Sequence, residues 1–78
     1  MYVASEPPIT NSARRHGISD LDIRHSFDNP IRIEDLDDGL VMLVGPDRVG
    51  RLLEIGVVVG SEGPVVVHAM EARAKYLR

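Results

Sequence analysis

From Ile31 onward the chain is cut by turn-forming residues at close intervals, and this limits the fold more than any other feature. Asp37-Asp38-Gly39, then Gly45-Pro46-Asp47-Arg48-Val49-Gly50, then Gly60-Ser61-Glu62-Gly63 separate four apolar runs. Gly and Asp tolerate the backbone of a tight reversal, so these signals read as chain reversals. Connections this short leave no room for the crossover that parallel strands require. The pattern therefore predicts an antiparallel four-stranded meander. Residues 40–44 are wholly apolar and read as a central strand covered on both faces. In the third strand, residues 51–59, Leu53, Ile55, Val57 and Val59 share one face, and Leu52, Glu54, Gly56 and Val58 share the other. In the fourth, residues 65–70, simple alternation puts Val66, His68 and Met70 together. Ile31 and Ile33 alternate with Arg32 and Glu34, giving the first strand one apolar face. Ten valines against three aromatic residues favour this sheet over a helical bundle.

Ahead of the strands the signals are helical. Residues 10–16 read as a first short helix, with Gly17 in the left-handed cap position. A second begins after Ser19, an N-cap with Asp22 three residues on and with Ile18 and Ile23 at hydrophobic-staple positions. It runs to about residue 27, because Asn29-Pro30 forbids continuation. The fold class is thus α+β: two short N-terminal helices packed on one face of an antiparallel four-stranded meander. Residues 1–78 form a single domain, with residues 1–9 an irregular arm in which Met1–Val3 adds an edge strand. Two helices cover one face only. The other face is closed either by the last residues folding back or by a partner, since an open apolar face marks an interaction site.

Seventy-eight residues build only a small core, and there is no cysteine to staple it. Neither a leader pattern nor a long apolar run is present, so a soluble cytoplasmic protein is expected, with no membrane partner. A net charge of −3 argues against non-specific nucleic-acid binding. Yet residues 68–78 gather Arg73, Lys75 and Arg78 against Glu71 alone, beside His68. A histidine titrates near neutrality and serves as general acid or base, and arginine grips phosphate oxygens two at a time. RNA cleavage through the 2′-hydroxyl needs those parts: a base, an acid and cations on the phosphate. His68, Arg73 and Arg51 are accordingly the catalytic candidates, with Lys75, Arg78, Arg15, His16 and Tyr76 as RNA or phosphate contacts. Each has a plainer reading. A lone histidine at a sheet end often only hydrogen-bonds, Arg14-Arg15-His16 complements a helix dipole, and Tyr76 packs a chain end. The acidic run Glu34-Asp35-Leu36-Asp37-Asp38 reads as a solvated turn. His16, His25 and His68 lack metal-ligand spacing, so no metal or cofactor is expected.

Several of these residues resemble a known family. Arg15-His16-Gly17-Ile18-Ser19 opening a helix, Asp28-Asn29-Pro30 after it, Gly50-Arg51 entering a strand and Ala72-Arg73 after the last strand together resemble the BrnT group of bacterial toxins, within the RelE-like superfamily. The resemblance spans residues 13–76. It implies a RelE-like α+β domain and a metal-independent endoribonuclease. It further implies neutralisation by a cognate antitoxin, typically a ribbon-helix-helix protein, in a type II toxin–antitoxin system. It carries over Arg51, Arg73 and His16 as site positions. The chain departs from the pattern in its acidic balance and in Glu71, where members usually place serine. A second hypothesis follows from those departures: a non-catalytic interaction module, a decayed toxin that forms an oligomer or complex through its sheet face.

Overall fold

The computed structural model describes residues 6–78; the edge strand expected at Met1–Val3 lies outside them. A single α-helix, α1 (Asp20–Asp28), precedes four strands, β1 (Arg32–Asp37), β2 (Leu40–Pro46), β3 (Leu52–Gly60) and β4 (Gly63–Glu71). The strands pair antiparallel in the order β1-β2-β3-β4, so the fold is α+β with a sequential meander. No helix among the described residues is long and apolar enough to cross a membrane.

Local chemistry accounts for α1. The Ser19 hydroxyl accepts from the Asp22 backbone N–H, satisfying one of the donors that a helix start leaves free. Ile18 and Ile23, flanking that cap, both enter the core. The first expected helix is instead a single 3-10 turn, Ser12–Arg14. The reason lies upstream: Pro8 and Thr10 hydrogen-bond to Val66 on β4, and the backbone is committed to that edge until Thr10. Too few residues then remain before Gly17, at φ +76°, for a stable α-helix.

The turn and α1 cover one face. Ala13, Ile18 and Ile23 pack there on Leu43, Leu53, Ile55 and Val66. Contact between α1 and β2 is close. A Cβ on Gly45 would lie 2.5 Å from the Ser26 carbonyl oxygen, and the Ser26 hydroxyl donates to the Gly45 carbonyl at 2.8 Å. Because α1 sits on β2 and β3, it leaves β1 uncovered. The apolar face expected for β1 therefore does not form: Ile31 and Ile33 remain about two-thirds exposed, at 67% and 66%.

The second face closes through the end of the chain. After β4 the backbone turns back, Ala72 N–H donating to the Leu52 carbonyl, and a 3-10 turn, Ala74–Tyr76, lays Tyr76 on Met42 and Val44. Of the two ways to cover this face, the chain uses its own last residues.

Strand β4 departs from simple alternation. Val66 pairs with Val57 and His68 with Gly56, so Val67 is an extra residue, a β-bulge. The bulge reverses the expected parity. Val66 and Ala69 are both fully buried in the helix-side core, while His68 joins Met70 on the opposite face.

Candidate functional site

On the second face of β3, Glu54 stands between Leu53 and Ile55, and all three are fully buried. A carboxylate in such a place is costly unless donors surround it. They do. His68 Nε2 lies 2.8 Å from Oε2, the Arg73 backbone N–H donates to Oε1 at 2.8 Å, and Arg73 Nη2 donates to Oε2 at 2.7 Å. Arg73 Nε adds bonds of 3.0 and 3.1 Å to the two oxygens. Burial alone would raise the Glu54 carboxyl pKa. The Arg73 side chain and backbone, and then His68, outweigh it and hold the carboxyl at about 2. Glu54 is thus ionised across the physiological range. The same pair raises the Arg73 guanidinium above its ordinary value, chiefly through the hydrogen bond from its side chain to Glu54.

Each partner reaches Glu54 for a reason in the fold. His68 is aligned with Gly56 across the β3–β4 ladder, and a Cβ there would sit 2.9 Å from the His68 Cβ, so glycine makes room for the imidazole. Arg73 arrives because the chain leaves β4 in extended conformation, φ −81° and ψ 154°, before the turn at Ala74. Two further groups continue the cluster. The His16 ring stands edge-on to His68 with centroids 5.8 Å apart. On the other flank, Arg73 and Lys75 both lie over the Tyr76 ring, at 5.5 and 5.0 Å.

The structure therefore gathers His68, Arg73, His16, Tyr76 and Lys75 into one continuous strip. Tyr76 is buried, so its ring serves the apolar packing and the two cations. Arg15 and Arg78 are exposed, and among the described residues their side chains make no hydrogen bond or ion pair. Arg51 does not join the strip through any hydrogen bond or ion pair. Its Nε donates to Asp47 at 3.0 Å, inside the β2–β3 loop. Asp47 also accepts from the backbone N–H groups of Val49 and Arg51, which braces that loop. The loop is tied to α1 as well. Arg48 donates from its backbone and its Nε to Asp22, at 3.0 and 2.8 Å. Those bonds from Arg48 hold the Asp22 carboxyl well below the usual carboxylate range.

Sequence reasoning placed Glu54 correctly on the second face but gave it no role. The available signal was its isolation: one carboxylate within the apolar run from Leu52 to Val59. Among the described residues, no group of three His, Cys, Asp or Glu side chains is arranged to hold a metal ion.

Chemically, the strip offers two imidazoles within reach of one small substrate group and a cation beside them. Among the described residues Arg73 Nη1 has no partner, and the side chain is 46% exposed, so that nitrogen can donate to an anion. No family model, curated protein or solved structure matches the chain.

Proposed function

We propose that this chain is the toxin of a bacterial type II toxin–antitoxin pair: a small cytoplasmic ribonuclease of the BrnT-like, RelE-like kind, neutralised by a cognate antitoxin. The observation that supports the reading is the meeting of His68 and Arg73 at one buried carboxylate, with the His16 ring edge-on to His68. In the reaction, one imidazole takes the proton of the ribose 2′-hydroxyl. That oxygen attacks phosphorus, the bond to the 5′-oxygen breaks, and the second imidazole gives the leaving oxygen its proton. The products are a 2′,3′-cyclic phosphate and a 5′-hydroxyl. Arg73, with Lys75 nearby, opposes the charge that gathers on the phosphoryl oxygens. His68 is the base in this scheme and His16 the acid.

The test is direct. Purified protein is incubated with tRNA, rRNA and ribosome-bound mRNA, and growth is followed after induced expression. Cleavage and growth arrest, both lost in His68→Ala, are the expected outcome. Uncut RNA in every sample together with normal growth, for a folded wild-type protein, overturns the reading.

A second reading rests on a different observation. A cleft of about 280 Å³, lined by Ile31, Arg32, Val44, Leu52, Tyr76 and Leu77, opens on the second face. Ile31 and Leu77 are exposed at its rim. A non-catalytic interaction module would seat an apolar segment of another chain there. Intact RNA combined with a stable complex, abolished by Leu77→Asp, would favour that module over the ribonuclease.

A further inference from the structure

Glu54 is ionised, and an ionised carboxylate can only accept hydrogen bonds. The contact at 2.8 Å between its Oε2 and the His68 ring therefore requires a proton on Nε2. In the neutral ring the other nitrogen, Nδ1, then carries the lone pair. Nδ1 has no hydrogen-bond partner among the described residues. None of the buried side-chain nitrogen or oxygen atoms described lacks a partner, so Nδ1 is open to solvent. The imidazole is thus gripped on its inner side and free on its outer side.

We propose that Glu54 is a positioning residue: it fixes His68 as the Nε2–H tautomer and presents Nδ1 outward as the proton-accepting atom. The inference rests on the ribonuclease reading for its consequence in catalysis, but not for its geometry. Arg73 holds the carboxylate from the other side through its backbone and side chain, so Glu54 cannot turn away from His68. Gly56 gives the ring its floor. The arrangement has the logic of any acid–base histidine whose second nitrogen is tied to a buried carboxylate, where orientation and tautomer decide the rate.

A glutamine at this position cannot reproduce the carboxylate. Both Glu54 oxygens accept from Arg73, and one accepts from His68 as well. An amide nitrogen in either place would face a donor.

The experiment reads the tautomer and the rate separately. Long-range proton–nitrogen NMR of the full wild-type chain, above the pH at which His68 loses its second proton, is expected to show Nε2 protonated and Nδ1 bare. In Glu54→Gln, the Nδ1–H form becomes populated and kcat for RNA cleavage falls at least about tenfold, while KM changes less than about threefold. Finding Nδ1–H in the wild type overturns the proposal. So does a folded Glu54→Gln that keeps both the tautomer and the rate. The wild-type measurement needs no variant, so it decides the matter even where Glu54→Gln does not fold. If the wild type cuts no RNA, the ribonuclease reading fails separately, and the tautomer alone judges the role of Glu54.

Discussion

Two buried carboxylates, Asp47 and Glu54, each hold an arginine, yet they belong to different kinds of structure. Asp47 takes all its donors from Val49 and Arg51, within four residues along the chain. It shapes a loop, and the arginine it holds serves that loop. Glu54 takes its donors from His68 and Arg73, 14 and 19 residues away. It joins β3 to β4 and to the segment after it, and among the described residues it leaves His68 Nδ1 and Arg73 Nη1 without a partner. A carboxylate satisfied by its own neighbours is spent on local geometry. One satisfied from distant segments brings functional groups together. This contrast also separates Arg73 from Arg51, which the sequence alone does not distinguish.

The sharpest way to break the comparison is through the arginines. Arg73→Ala is expected to reduce RNA cleavage at least about 100-fold, the scale for losing a cation that opposes developing charge. Arg51→Ala is expected to leave the rate within about threefold, because its side chain bonds to Asp47 inside the β2–β3 loop and to no residue of the strip. Equal losses in the two variants would dissolve the distinction.

Stability comes next. Glu54→Ala removes the acceptor that ties β4 and the segment after it to β3, and is expected to cost about 2–4 kcal/mol in urea unfolding. Asp47→Ala removes bonds confined to one loop and should cost less than Glu54→Ala. The reverse order would mean that the loop, not the strip, carries the structural weight.

Acid titration probes the same carboxylate without a deletion. The Glu54 carboxyl is lowered from 4.5 to about 2 in the folded state. A lowered folded-state pKa adds stability above the ordinary value, and that part is lost as pH falls from about 4.5 toward about 2. Unfolding midpoints measured through this window are expected to fall less steeply in Glu54→Gln than in wild type. Asp22 and Asp47, also held below the ordinary range, keep some acid sensitivity in the variant. Identical slopes would show that Glu54 is not ionised and paired as its geometry requires.

Much of the architecture was legible because it is local. Ser19 caps a helix by reaching three residues forward, and Asp38-Gly39 reverses the chain with positive φ at both positions, 52° and 80°. Turn chemistry of that kind marks strand limits without reference to the rest of the molecule. What failed to be legible depended on neighbours. Ile33 has the alternation of a buried face, but burial needs a covering element, and α1 packs mainly on β2 and β3. The extra residue at Val67 moved His68 to the opposite face from Val66, and no local signal in a run of valines announces a bulge.

The order of elements, the helix start, the hairpin reversals and the supply of cations near the chain end were all determined by the sequence alone, since each depends on residues a few positions apart. Only the tertiary structure decided that His68 and Arg73 meet at Glu54, that His16 stands against His68, and that Arg51 bonds elsewhere. The physical reason is the cost of burying a charge. A lone carboxylate in an apolar strand must recruit donors from wherever the packed fold can bring them, and that choice is made in space rather than along the chain.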